Sequence, residues 1–145
     1  MVNGISSVNL GKPDFQKALE QHADYIDALK ECGLQVRILP PDEDFPDSTF
    51  VEDAALMTPH CAVLTNPGAA SRRLETRSMR AVLEEFYENV ETIEEPGTLE
   101  AGDIMMVGDH YYIGLSERTN HAGAEQMIAI LQQYGMQGSI VELSE

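Results

Sequence analysis

Between Gly11-Lys12-Pro13 and Gly33, apolar residues recur at Phe15, Leu19, Ile26 and Leu29, with His22 on the same stripe. This helical period predicts an amphipathic helix, and Gly33 is placed to end it, because glycine adopts the left-handed backbone that closes a helix. Leu34, Val36 and Ile38 then alternate with Gln35, Arg37 and Leu39 as far as Pro40-Pro41. That pattern predicts a short strand, stopped by residues without a backbone donor. Asp42 to Asp47 reads as an acidic, proline-punctuated loop.

Apolar runs from Phe50 to Met57 and from Cys61 to Leu64 flank Thr58-Pro59-His60, which predicts two antiparallel strands joined by a turn. Pro67-Gly68 breaks the chain. Ser71 is then a candidate cap for a second helix whose stripe is Leu74, Met79, Val82, Leu83 and Phe86. A strand from Val90 to Glu95 ends at Pro96-Gly97. The pattern now recurs. Strands from Asp103 to Val107 and from Tyr111 to Leu115 flank Gly108-Asp109-His110. A helix follows from about Asn120 to Tyr134, carrying Met127, Ile130 and Leu131 and ended by Gly135, and Ser139 to Leu143 is a last strand.

The order is therefore helix-strand, followed twice by hairpin-helix-strand. Asp53 and Asp103 each open a hairpin, 50 residues apart, and His60 and His110 lie in the two turns at the same offset of 50. This predicts an α+β chain of repeated ββαβ units, two complete and one partial, filling one domain over residues 1–145. Such a chain leaves sheet edges and helix faces without their next neighbour, so further polypeptide or a second copy is expected to cover them.

Composition narrows the function. Hydrophobic residues make up 43% and charged residues 23%, which suits a packed domain rather than a disordered one. Lys plus Arg number 9 against 25 Asp plus Glu, a net charge of −16 that repels nucleic-acid phosphates. Apolar runs fall short of the roughly 18 residues of a membrane span, and no basic-then-apolar leader opens the chain, so a cytoplasmic protein without nucleic-acid or membrane partners is expected. Cys32 and Cys61 are too few for a disulfide framework, and both read as structural thiols in a reducing compartment. His22, His60, His110 and His121 lack ligand spacing, so no metal is expected. The run of Glu84, Glu85, Glu88, Glu91, Glu94 and Glu95 reads as a solvated face. Read alone, Glu52-Asp53 is a polar strand entry. Arg72 stands at a helix start, where a cation opposes the helix dipole, so a carboxylate is expected beside it: a ligand's or that of Glu75. Arg118 is similarly placed before the third helix.

Four blocks carry a resemblance: Asp47-Ser-Thr-Phe-Val-Glu-Asp53, Asn66-Pro-Gly-Ala-Ala-Ser-Arg-Arg73, Thr98-Leu-Glu-Ala-Gly-Asp103 and Gly114-Leu-Ser-Glu-Arg-Thr-Asn120. With Val2-Asn-Gly-Ile ahead of them, they resemble the dimethylarginine dimethylaminohydrolases, guanidine-modifying enzymes of the arginine deiminase superfamily. The resemblance implies a pentein-like propeller of five ββαβ units around a channel, of which this chain holds about two and a half. It implies a cysteine thiolate attacking the guanidinium carbon of a methylated arginine, and a histidine protonating the departing dimethylamine. Water then frees citrulline, without cofactor or metal. Carried over by motif, Asp47, Glu52 and Asp53 grip the guanidinium, Arg72 and Arg118 hold the amino-acid carboxylate, and Glu100 orients the catalytic histidine. Ala101 stands where the family often has glycine.

In the family pattern that histidine falls just beyond Glu145 and the cysteine near the far carboxyl terminus, so the resemblance implies a fragment that is inactive alone. Its expected partners are a small guanidinium substrate and either further copies or a complementing fragment. Two other readings stand beside this one. A relative of the arginine deiminase or amidinotransferase type would act on arginine, agmatine or an amidine acceptor, and the two arginines favour a substrate with an α-carboxylate over agmatine. A non-catalytic oligomer would bind a guanidinium ligand or nothing.

Overall fold

The computed structural model describes residues 4–6 and 11–142. The chain divides into two compact units, Met1–Thr49 and Phe50–Glu145.

The first unit holds helix α1, Phe15–Glu31. Asp14 caps it by accepting from the backbone N–H of Lys17, which satisfies one donor that the first turn leaves free. At the other end Gly33 takes φ +82°, its N–H donates to Lys30 O, and Leu34 N–H donates to Leu29 O. These paired bonds close the helix as the glycine foretells. The apolar stripe is less committed than its period suggests: Ile26 is buried, whereas Phe15 and Leu19 are exposed. The strand expected over 34–39 does not form. A strand needs a ladder partner, and Leu34 and Ile38 stand exposed ahead of two prolines.

The second unit repeats one topology. Strand β1 (Ala55–Met57) pairs antiparallel with β2 (Ala62–Leu64), which pairs parallel with β3 (Val90–Thr92). Helix α3 (Thr76–Leu83) makes the crossover. Likewise β4 (Ile104–Val107) pairs antiparallel with β5 (His110–Gly114), which pairs parallel with β6 (Gln137–Val141), α4 (His121–Gln133) crossing between them. The helices are needed because parallel neighbours cannot be joined by a tight turn. Leu143, the expected end of β6, lies outside the described residues.

Three local expectations are corrected. The hairpins do not begin as strands: α2 (Val51–Ala54) precedes β1, and a 3-10 turn over Ala101–Asp103 precedes β4. Asp53 N–H donates back to Phe50 O, and Asp103 N–H back to Glu100 O, so each acidic residue closes a helical turn. Ser71 caps nothing, since α3 starts at Thr76 after two successive turns. The repeat offset also differs. The pair Ala55–Leu64 corresponds to Ile104–Ile113, an offset of 49. His60 is thus in register with Asp109 rather than His110, which belongs to β5, and Asp53 is in register with Gly102.

Strand β2 explains how the layers assemble. Cys61 and Val63 join Ile93, Leu99, Tyr111, Ile113, Met127 and Leu131 in the main core. Ala62 and Leu64, on the opposite face, pack with Ala55 and Leu83. A strand covered on both sides reads as an unbroken apolar run, as Cys61–Leu64 does. Helix α4 buries Gly123, Ala124, Met127, Ile130 and Leu131, one stripe at helical spacing. It ends at Tyr134 with Gly135 at φ +75°, the same device that closes α1. No helix among the described residues is long and apolar enough to cross a membrane.

Candidate active site

The two helical turns ahead of the hairpins, together with the loops after β2 and β5, bring four of the six anticipated residues together. Asp53 comes from α2 and Arg72 from the turns before α3. Glu100 opens the 3-10 turn, and Arg118 lies in the loop before α4.

Arg72 is the hub and is 3% exposed. Its Nη1 donates to Asp53 Oδ2 at 2.8 Å and lies 3.8 Å from Glu100 Oε2. Its Nε donates to Glu75 Oε1 at 2.8 Å, and Nη2 approaches the same oxygen at 2.6 Å. Nη2 also reaches Phe50 O at 3.3 Å, and the guanidinium carbon sits 5.9 Å from the Phe50 ring centre. Burial works against the charge, but hydrogen bonds and attraction from Glu75 and Asp53 outweigh it, so the guanidinium pKa is raised. Of the two carboxylates anticipated for Arg72, Glu75 is present, and Asp53 joins it. Arg72, which the motif assigns to a ligand's carboxylate, has its guanidinium buried against carboxylates of its own chain.

Arg118 is different. Its side chain is 36% exposed, and Nη1 donates to both Glu100 oxygens, at 3.1 and 3.2 Å. Glu100 is buried at 6% exposure and so stands between two cations. Three carboxylates, Asp53, Glu75 and Glu100, face two guanidiniums, which leaves one negative charge in excess. A cluster so balanced attracts a cation and orients a planar one.

Glu52 is exposed on α2 beside Asp53. Asp47 lies in the first unit, where both carboxylate oxygens accept from Ile5 N–H at 3.1 Å. Gly102 presses on Asp53: a Cβ there would stand 2.5 Å from Asp53 Oδ1. Gly68 presses likewise on the backbone of Arg118, whose carbonyl oxygen would be 2.6 Å from an added Cβ. Sequence reading gave neither glycine a role at the site. The Thr98–Asp103 block contains Gly102, but nothing in one chain reveals that Asp53 leans on it.

Cys61 is buried in the core, and its thiol is pushed above the ordinary range by burial, partly offset by the Thr58 hydroxyl, with the Glu91 charge adding to the rise. It lacks the lowered pKa of a nucleophile. Among the described residues no group of three or more His, Cys, Asp or Glu could hold a metal ion.

The comparisons with known proteins fit this architecture. The amino-terminal domain of a cyanobacterial arginine dihydrolase superposes with a TM-score of 0.78 at 22% identity, covering 90% of this chain and 48% of that one. The shared fold is α+β with small sheets. Residues 11–137 match the family described as N,N dimethylarginine dimethylhydrolase, eukaryotic. The chain belongs to the dimethylarginine dimethylaminohydrolase family. The N(G),N(G)-dimethylarginine dimethylaminohydrolase of Pseudomonas aeruginosa is 58% identical over the whole of this chain and 58% of its own length. That of Streptomyces coelicolor is 38% identical over 97% of this chain and 55% of its own. A structure of the Pseudomonas protein complexed with citrulline superposes with a TM-score of 0.96 at 59% identity, covering 99% of this chain and 57% of that one. The chain thus spans little more than half the length of these relatives.

Proposed function

We propose that this chain is the substrate-gripping part of a five-unit, pentein-like hydrolase that converts methylated arginine to citrulline and dimethylamine. The observation that carries the proposal is the pair of carboxylates Asp53 and Glu100, one from the turn heading each ββαβ unit, both within reach of one arginine nitrogen. In this reading Asp53 and Glu52 take the substrate guanidinium. Arg118, the more exposed cation, takes the α-carboxylate, and Glu100 orients the histidine. Arg72 serves as the counter-ion that fixes Asp53. The guanidinium and the α-carboxylate at the substrate's two ends thus each meet the opposite charge, which aligns the guanidinium carbon for attack.

The chemistry follows from a delocalised and therefore sluggish electrophile. A thiolate adds to the guanidinium carbon, the bond to the dimethylamino nitrogen breaks, and the histidine supplies that nitrogen's proton. Water then displaces the thiolate and leaves the ureido oxygen of citrulline. Cys61 does not fit the nucleophile's part, so the reading takes both thiolate and histidine from outside the described residues, and the chain alone is expected to be inactive. The complementing portion is its expected partner, in a cytoplasmic setting. The test is to supply the purified carboxyl-terminal portion of the Pseudomonas relative and assay dimethylarginine by mass spectrometry. Citrulline is expected from the mixture and from neither part alone. A folded mixture that binds dimethylarginine and yields no citrulline would refute the assignment.

A further inference from the structure

Asp103 is the acidic residue of the second repeat for which the proposed chemistry has no use. It does not occupy the counterpart of Asp53, because the ladders are offset by 49 rather than 50. Its Oδ2 instead accepts two hydroxyls, Ser116 Oγ at 2.7 Å and Thr119 Oγ1 at 2.6 Å. Thr119 is 1% exposed, and its oxygen in turn accepts the backbone N–H of Glu100 at 3.1 Å. Ser116 Oγ accepts the backbone N–H groups of Arg118 at 2.9 Å and Thr119 at 3.1 Å. One carboxylate oxygen therefore orders both hydroxyls, and those hydroxyls hold the main chain of Glu100 on one side and Arg118 on the other. Ser116 and Glu117 are exposed, so this loop is shaped by polar bonds more than by packing.

We propose that Asp103 and Thr119 are positioning residues that lock Glu100 and Arg118 into one unit, fixing where the site receives a substrate carboxylate. The inference rests on the reading of Glu100 and Arg118 as site residues. Its physical basis is the strength of hydroxyl bonds to a carboxylate, which hold donor and acceptor in one geometry. If either link is cut, Arg118 loses its fixed distance from the guanidinium-binding carboxylates, and a ligand that must satisfy both ends is weakened more than one that needs only the guanidinium.

The test compares the chain with its Asp103→Asn, Thr119→Val and Thr119→Ser variants by amide hydrogen exchange and by titration with two probes. The probes are dimethylarginine and the same methylated guanidine lacking the carboxylate. Thr119→Val is expected to speed exchange at the Glu100 amide and to weaken dimethylarginine, each about tenfold, in line with loss of one charge-linked hydrogen bond. The carboxylate-free probe is expected to change far less. Thr119→Ser, which keeps the hydroxyl, is expected to restore both, and Asp103→Asn to fall between. Unchanged Glu100 exchange in the Val and Asn variants would overturn the proposal. So would equal weakening of both probes in step with a lowered denaturation midpoint, the signature of a purely structural role. If the unaltered chain binds neither probe, the proposed function fails, and exchange with rescue by serine alone upholds or overturns the positioning.

Discussion

Arg72 donates Nη1 to Asp53 Oδ2 at 2.8 Å while the rest of its guanidinium is taken up by Glu75. A charge so enclosed has little contact with water, and its partners would be left as buried anions without it. Replacing Arg72 by Met is therefore expected to cost about 3–5 kcal/mol of stability, the usual effect of breaking one side of a buried pair. Urea unfolding followed by circular dichroism measures this. A loss below about 1 kcal/mol would mean that the cluster is solvated and Arg72 dispensable to the fold.

Arg118 should behave in the opposite way. With 36% of its side chain exposed, and with Arg72 still beside the buried Glu100 when it is removed, its pair with Glu100 adds less to stability than the Arg72 pairs do. Arg118→Ala is thus expected to lose clearly less stability than Arg72→Met while binding dimethylarginine roughly ten- to a hundredfold more weakly, the value of about 1.5–3 kcal/mol for a charged hydrogen bond. Calorimetric titration checks it, and unchanged affinity would remove Arg118 from the carboxylate end.

The periodic segments were readable from the chain because burial imposed the period: Met127, Ile130 and Leu131 sit on the buried stripe of α4, and Gly33 and Gly135 close helices through their left-handed backbone. The strand foreseen over 34–39 failed for the complementary reason, since alternation alone supplies no ladder partner. At the site, the four blocks pointed to Asp53, Arg72, Glu100 and Arg118, which the fold does bring together. What a single chain hides is who holds whom. The one-residue difference between the repeat of acidic residues and the repeat of ladders sends Asp103 to Ser116 and Thr119, and only pairing in space reveals it.

Gly123 and Gly102 separate fold from site. A Cβ on Gly123 would overlap the carbonyl oxygen of Thr98, a backbone atom that also accepts from Asn120 N–H. Gly123→Ala is therefore expected to destabilise by about 1–3 kcal/mol or more. A Cβ on Gly102 meets only the end of the Asp53 side chain, which can turn away. Gly102→Ala is expected to keep its thermal midpoint and to lose affinity for dimethylarginine severalfold. Equal effects of the two substitutions on stability would contradict the distinction.

The two cysteines offer a chemical check. Cys32 is exposed, whereas Cys61 is buried and its thiol pKa is raised, chiefly by burial. Because only the thiolate reacts, iodoacetamide at pH 8 is expected to label Cys32 promptly and Cys61 only after unfolding. Peptide mapping by mass spectrometry distinguishes them. Prompt labelling at Cys61 in the folded chain would show that the core opens around it.

Tyr134 links α4 to the first sheet and gives the unit a pH limit. Its hydroxyl donates to Glu91 Oε1 at 2.6 Å, and that bond, aided by burial and by the glutamate charge, pushes its pKa up to about 12. The unfolded phenol titrates near pH 10. A folded-state pKa above the unfolded one means that the contribution is complete below about pH 10 and is lost as the pH climbs through about 12. Tyr111 also has a raised pKa, mainly through burial, so the Tyr134 share must be isolated by difference. Tyr134→Phe, which keeps the ring and removes the bond, is expected to lower the urea midpoint at pH 8 and to flatten its decline between about pH 10 and pH 12. Absorbance of the ionised phenol should show one late-titrating tyrosine fewer. If the variant declines as steeply as the unaltered chain, the Glu91 bond is not what holds this proton.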